Sequence, residues 1–215
     1  MSWHYETYIE SGDFETALKE IFEAIEREKD NEVHYINGGL VLYKLGQKDE
    51  AIKFLERAIE LNKESTVAIY TLGSFYYEES QFKDARTLFL SIYDKMTDDS
   101  DLNYMIAMCY VNLNEGRTSI PFFESAIKNN EDTEILFQYG LLLCQLGLLE
   151  QGETLLNRVA SLDMHADAEY NLGLIKLVRD EDLESAKKHF SRAIEIQHDH
   201  ILAHHALKEI NNQTK

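Results

Sequence analysis

Four histidines near the C-terminus have the type and spacing closest to a chemical site: His198, His200, His204 and His205. His200 and His204 are four residues apart and share a face if a helix has begun by then, a spacing that can bind zinc or nickel. No cysteine lies near them, and a polar capping helix accounts for the same residues. We therefore favour a capping role and expect neither a metal nor another cofactor.

Other patterns that carry catalysis are missing from the sequence. Gly38 and Gly39 lie inside a helical phrase and do not form a phosphate-binding loop, and no Gly-x-Ser-x-Gly motif occurs. Carboxylates are numerous, but they fall in turns and on polar faces, without the pocket that shifts the pKa of an acid–base pair. We predict that the protein is not an enzyme and has no catalytic residues.

The overall composition narrows the classes of partner. The chain has 215 residues and a net charge of −18, which disfavours nucleic acid and anionic membranes because both need a basic face. Cys109 and Cys144 lie in apolar helical phrases without metal-type spacing, as expected for free thiols in a reducing compartment. No secretory signal or membrane-length apolar segment is visible. We expect a cytoplasmic protein.

A repeat supplies the elements that position every other residue. Six small residues recur at intervals of 34, 34, 34, 33 and 34: Ala17, Ala51, Ala85, Ser119, Gly152 and Ala186. A period of this size indicates one supersecondary motif repeated along the chain and stacked on its neighbours. A large residue follows each small one by four positions, so small and large side chains share one face of a helix.

Each repeat contains two apolar stripes of helical period separated by a short turn. We predict an all-α solenoid of six antiparallel helix pairs in a single domain, 1–215. The repeats are about 1–30, 31–64, 65–98, 99–131, 132–164 and 165–199, and a capping helix covers 200–212. Turns are expected at Gly12, Gly46, Ser80, Asn114 and Gly147, and repeat six has one extra turn residue.

Helix starts are predicted from capping residues and from the single proline. Candidate N-caps are Ser65 or Thr66, Ser100 or Asp101, and Thr133. Pro121 lies in the second helix of repeat four, where an interior proline costs about 3 kcal/mol. We therefore expect that helix to start late, near Thr118, so that Pro121 falls in its first turn.

The repeat resembles the tetratricopeptide-repeat (TPR) family over roughly residues 2–200. Leu72 and Gly73 with Tyr76, Ala85 and Phe89 match the family pattern, as do Leu172, Gly173, Ala186, Phe190 and Ala193. The proline that often closes a repeat is absent, and the first repeat lacks the Leu-Gly pair. The resemblance implies a right-handed superhelix whose first helices line a concave groove, as in small stand-alone bacterial adaptors of this family.

Three rows of residues are predicted to lie on that groove, because they are three or four positions apart on each first helix. Row one is Ile36, Tyr70, Tyr104, Phe137 and Tyr170. Row two is Leu40, Ser74, Met108, Leu141 and Leu174. Row three is Tyr43, Tyr77, Val111, Cys144 and Leu177. Row two is more apolar than the family usually has, which indicates either a bound partner segment or packing between adjacent helices.

Polar groups beside the rows suggest how a partner is held. Those expected to contact its backbone or charges are Asn37, Lys44, Asn112, Gln138, Gln145 and Asn171. An acidic rim of Glu6, Glu10, Glu78, Asp101, Glu134 and Asp167 favours basic flanks on the ligand. Lys44 and Lys176 are the only basic residues of this face, so we expect no carboxylate clamp of the kind that grips chaperone tails.

These features predict a scaffold or adaptor that binds an apolar or amphipathic segment of another protein. The alternative is a structural module that buries the groove by self-association. We expect a monomer or a weak homodimer, with no nucleic acid or membrane as partner.

Overall fold

The computed structural model describes residues 3–128 and 130–213, apart from the side chain of Gln213. These residues form thirteen α-helices and no strand, as predicted. The helices are α1 His4–Ser11, α2 Phe14–Arg27, α3 Glu32–Lys44, α4 Lys48–Leu61, α5 Thr66–Glu78, α6 Phe82–Ile92, α7 Ser100–Asn112, α8 Gly116–Ile127, α9 Thr133–Gln145, α10 Leu149–Leu162, α11 Ala166–Val178, α12 Leu183–Ile196 and α13 Ile201–Gln213. A 3₁₀ turn, Tyr93–Lys95, follows α6. None of the helices in the described part of the chain is long and apolar enough to cross a membrane.

The chain divides into two compact units, Met1–Leu113 and Asn114–Lys215. The N-terminal unit contains α1 to α7, and the C-terminal unit contains α8 to α13. Within each unit, consecutive helices pack against one another and bury a row of small and large apolar side chains. The division falls inside repeat four, between its two helices. That the whole chain forms a single domain stays a prediction.

The turns between paired helices depend on left-handed backbone. Gly12, Gly46 and Gly147 have φ of 78°, 79° and 78°, and Ser80 and Asn114 take the same region at 59° and 60°. These five positions confirm the predicted turns. Repeat six has the expected extra residue, because four residues separate α11 from α12 and the left-handed residue there is Glu181, with φ 51°.

Side-chain caps begin the first helix of every repeat after the first, and also α13. In each case the preceding side chain accepts a hydrogen bond from a backbone N–H of the first turn. These residues are Asn31, Ser65, Asp99, Asp132, His165 and His200. Ser65 was predicted, but the predictions of Ser100 or Asp101 and of Thr133 were wrong. Ser100 and Thr133 are already the first helical residues, and the carboxylate just before each one reaches the free N–H groups.

Pro121 also departs from the prediction, because α8 begins at Gly116 and Pro121 is its sixth residue. The N–H that proline lacks would have bonded the carbonyl of Arg117. Ser119, Phe123 and Ala126 are fully or almost fully buried on one face, and Pro121 lies exposed on another. Burial on both sides of Pro121 therefore holds the helix together despite the missing bond.

Close contact between paired helices explains the glycines of the first helices. A Cβ added to Gly73 would lie 2.7 Å from Cε1 of Phe89, and one added to Gly173 would lie 2.6 Å from Cε1 of Phe190. Both phenylalanines are fully buried. The glycines are needed because a large ring occupies the space where a side chain would stand.

Gly73→Ala is expected to lower the free energy of unfolding by about 1–3 kcal/mol, since the Phe89 ring must move in a packed core. Alanine's helix propensity alone predicts the opposite, a gain of about 1 kcal/mol. Urea unfolding followed by far-ultraviolet circular dichroism decides between the two. Gly140→Ala is the matched control, because its added Cβ meets Leu156 at a more tolerable 3.2 Å and the change should be smaller.

Candidate partner-binding surface

All three predicted rows lie on the first helices of repeats two to six, α3, α5, α7, α9 and α11. Each of these helices contributes one residue to each row. The residues of one helix are therefore neighbours along its length.

In the N-terminal unit, the rows contact the neighbouring first helix. The Tyr43 ring stacks on Phe75 with 3.9 Å between ring centroids, and its hydroxyl donates to Glu79 Oε1 at 3.3 Å. Nδ2 of Asn112 donates to the Tyr77 hydroxyl at 3.2 Å. These contacts join α3 to α5 and α5 to α7, so the row-three side chains of this unit share one surface.

Tyr70 lines a cleft of about 230 Å³ together with Val67, Thr71, Met96 and Asp101. Burial, with the nearby carboxylates of Asp101 and Asp99, raises the pKa of Tyr70 to about 12. The phenol is therefore neutral at physiological pH. It presents an aromatic ring and a hydroxyl beside carboxylates, a surface suited to an apolar group with a positive charge next to it.

In the C-terminal unit, two aromatic rings of row one pack against the rings of capping histidines. The Phe137 ring lies 4.2 Å from that of His165, and the Tyr170 ring lies 5.3 Å from that of His200. Leu141 and Cys144 pack against the buried cluster formed by α9, α10 and α11. Leu174 and Leu177 pack similarly against the cluster of α12 and α13.

Exposure differs between the rows. Ile36 and Phe137 of row one are only 7% exposed, whereas Leu40 of row two is 38% exposed. The remaining residues of the three rows are half-buried. Within row two, Leu40 is open to solvent, whereas Leu141 and Leu174 pack against buried clusters of the protein.

Two exposed valines on the same face were missed by the sequence analysis. Val33 and Val67 are 46% and 60% exposed in the first turns of α3 and α5. They stand three residues before Ile36 and Tyr70, and the same position holds an acid in the next three repeats. Their 34-residue spacing was the signal that would have identified them.

Most of the predicted polar contacts are already engaged within the protein. Nδ2 of Asn37 donates to the Val33 carbonyl at 3.1 Å, and Nδ2 of Asn171 donates to the Asp167 carbonyl at 2.7 Å. Nε2 of Gln138 donates to Glu134 at 2.8 Å. Lys44 and Gln145 lie exposed. A ligand backbone would therefore have to share these amides with their helix partners.

The expected acidic rim is open to solvent. Its exposed members are Glu10, Glu78, Asp101, Glu134 and Asp167, and Glu6 is half-buried. Of the two basic residues on this face, Lys176 is held by Glu153 at 2.6 Å and Asp180 at 3.0 Å. This arrangement leaves the face acidic and occupies a cation that a ligand carboxylate would need.

The C-terminal histidines are used in local structure. The Ala203 N–H donates to Nδ1 of His200 at 3.1 Å, so the proton of the neutral ring is on Nε2, which lies 3.1 Å from Asp167 Oδ1. Nε2 of His204 lies 2.9 Å from the carbonyl oxygen of His198. Within the described ranges, no group of three or more histidine, cysteine or acidic residues is arranged to hold a metal.

A family model described as the Psidin N-terminal TPR repeats region matches residues 5–134. The chain belongs to the tetratricopeptide-repeat family. Members of this family are helical repeat proteins that generally mediate protein–protein interactions. The match agrees with the small-residue period, the helix pairs and the left-handed turns described above.

Similar TPR proteins include YpiA of Bacillus subtilis strain 168, which is 26% identical over 158 residues. That alignment covers 73% of this chain and 37% of YpiA, so the chain spans well under half of that relative. YrrB, for which a crystal structure is known, has 33% sequence identity to this chain. The structural match has a TM-score of 0.77 and covers 87% of this chain and 97% of the YrrB chain. MamA, at 19% identity, with 75% of this chain and 94% of MamA covered, shares the fold with a TM-score of 0.68.

Glu153→Gln is expected to lower stability at pH 7 by about 1.5–3 kcal/mol, because Glu153 holds both Lys176 and Arg179 through charged hydrogen bonds. Although burial opposes it, these bonds hold the pKa of Glu153 below its ordinary value of 4.5. Its contribution is present above the ordinary pKa and is lost as pH falls through the lowered one.

Thermal or urea unfolding at pH 7 and again near pH 3 tests whether the stability contribution of Glu153 is lost as the pH falls. The wild-type protein and the Glu153→Gln variant should differ at pH 7 and converge in acid. A gap that widens toward low pH would refute the assignment. Glu150→Gln, an exposed acid on the same helix, provides the control.

Proposed function

We propose that this TPR protein is a non-enzymatic adaptor that binds an apolar or amphipathic segment of a partner protein along rows one to three. The observation that supports the proposal is that, within each unit, apolar and aromatic residues recur along the first helices beside exposed carboxylates. TPR proteins bind other proteins or peptides, so the fold supports binding. In this protein the bound segment would lie along rows one to three and present apolar side chains to them.

The N-terminal unit offers the most open part of this surface. Val33, Leu40 and Val67 are exposed there, and Tyr70 lines the adjacent cleft. Apolar side chains of the ligand would remove these residues from water, at about 25 cal/mol for each Å² buried. Lysine or arginine on either side would face carboxylates such as Asp101 and Glu78, which aids encounter and register more than affinity.

YrrB gives independent support for a peptide ligand. Its crystal structure is described as that of a TPR protein with an unusual peptide-binding site, and it is one-third identical to this chain. We extend peptide binding from YrrB to this protein as part of the proposal, without transferring particular residues.

The protonation state of the two cysteines favours binding over catalysis. Burial raises the pKa of Cys109 to about 12 and also raises that of Cys144, so both are thiols rather than reactive thiolates at neutral pH. Two free, protonated cysteines suit a reducing compartment, and we keep a cytoplasmic location as part of the proposal.

Self-association is the second candidate function. Ile201 and Leu202, at the start of α13, are 79% and 57% exposed. Such a segment has the apolar character expected of the ligand. Light scattering coupled to size exclusion separates the two functions, because a monomer at micromolar concentration favours the adaptor and a dimer lost in Ile201→Asp favours self-association.

Leu40→Lys is expected to weaken partner binding at least tenfold, since it places a charge in the middle of the exposed apolar surface. Leu90→Lys is the matched control, because Leu90 is equally exposed at 38% but lies on α6, outside the rows. Peptides selected from a displayed random library against the wild-type protein should be apolar with basic flanks, and their affinities for both variants can be measured by fluorescence anisotropy.

A second variant tests row one directly. Replacing Tyr70, Tyr104 and Phe137 by alanine should abolish capture of the selected peptides while helical content is retained. Equal affinity for the wild-type protein, the Leu40→Lys variant and a folded triple variant would place the binding site elsewhere.

A further inference from the structure

A cleft of about 450 Å³ lies beside α1 and α2 in the N-terminal unit, away from rows one to three. Its lining combines aromatic rings from α1 and the residue before it with carboxylates from α2 and the residue after it. The cleft at Tyr70 also pairs an aromatic ring with carboxylates, but this cleft has more of both, with two rings and three carboxylates.

The aromatic part of the cleft consists of Trp3 and Tyr5. Their ring planes are within 9° of parallel, with 6.2 Å between ring centroids. Tyr5 is 1% exposed and Trp3 is half-buried, so both rings are held by the protein rather than moving freely in solvent. The half-buried Trp3 ring is the one that a ligand can reach, and a flat aromatic face favours a planar cation through its negative potential.

A buried histidine fixes these rings. His34 is fully buried, its ring meets Trp3 edge-on at 4.6 Å, and its Nδ1 lies 2.9 Å from the Tyr5 hydroxyl. Among the described residues its Nε2 has no hydrogen-bond partner, and it lies 3.4 Å from Oε2 of Glu28, which lines the cleft. The buried His34 thus holds the aromatic wall of the cleft in a fixed position.

The charged part of the cleft consists of Glu20, Glu23 and Glu28. A hydrogen bond from Asn31 at 2.8 Å lowers the pKa of Glu28, which is therefore a carboxylate at neutral pH. The basic residue in the lining, Arg27, contacts Glu23 at 3.4 Å, and both side chains are largely exposed. An exposed pair of this length is weak, so Arg27 offsets only part of the negative charge.

We propose that this cleft binds a guanidinium group, the arginine side chain of a partner segment. A guanidinium is planar and permanently charged, can stack on Trp3, and can donate to a carboxylate through two parallel N–H groups. A lysine ammonium has the charge but neither the flat face nor the paired donors. A bare metal ion would make no use of the aromatic wall.

Trp3 is the only tryptophan of the chain, so its fluorescence reports on the cleft directly. The probe is the blocked peptide acetyl-Ala-Arg-Ala-amide, titrated into the full-length protein at low salt. We expect a saturable change in Trp3 emission. The matched lysine peptide should bind at least threefold more weakly, and the citrulline peptide, a neutral isostere of the arginine peptide, should produce no saturable change.

Removing an acidic charge and removing the arginine charge of the cleft should change the affinity for the arginine peptide in opposite directions. Glu23→Gln should weaken binding of the arginine peptide about two- to fivefold, as expected for an exposed ion pair. Arg27→Gln should strengthen it by a similar factor, because it removes a competing guanidinium. Glu26→Gln is the matched control, since Glu26 is an exposed acid on the same helix and is not part of the cleft.

Several outcomes would overturn the proposal: equal binding of the citrulline peptide, no saturation, or a response of Glu26→Gln equal to that of Glu23→Gln. Tighter binding of free agmatine than of the arginine peptide would indicate a metabolite rather than a protein segment, and would also overturn it. Leu40→Lys should leave the titration unchanged, so the result does not depend on binding at rows one to three.

Discussion

The contact between a glycine of the first helix and a large side chain of the second sets the geometry of this protein. Gly39 meets Leu55, Gly73 meets Phe89, Gly140 meets Leu156 and Gly173 meets Phe190, each with an added Cβ at 3.2 Å or less. Because the glycine must face the partner helix, this contact fixes how the first helix is rotated about its own axis. Everything exposed on that helix follows from the rotation.

The rotation explains the exposure of the surface positions. With 3.6 residues per turn, row three lies about 40° from the glycine direction, row one about 60°, row two about 100°, and the position of Val33 and Val67 about 120°. From row one outward, exposure rises with this angle along α3, from 7% at Ile36 to 38% at Leu40 and 46% at Val33. The full or partial burial of rows one and three is therefore a consequence of helix pairing.

The structural features that depend on the repeat period could be predicted from the sequence, whereas those that depend on tertiary contacts could not. The helix pairs, the left-handed turns at Gly46 and Asn114, and the extra residue in repeat six follow from spacing alone and are confirmed. Pro121 was misplaced because its local penalty is outweighed by burial of Ser119 and Phe123 on the other face of α8. How far row two is covered was also undecided, because a periodic pattern identifies a face but not its distance from the neighbouring helix.

The histidines show how the repeat register assigns a role to a residue. The capping positions are spaced 34, 34, 33, 33 and 35 apart, and a short polar side chain that accepts a hydrogen bond occupies the first four. His165 and His200 continue the series through Nδ1, since a neutral imidazole offers the same acceptor. Considered as an isolated cluster, His200 and His204 suggest a metal site. Considered in register, His200 occupies a position where every repeat after the first has an acceptor, and its remaining nitrogen is directed to Asp167.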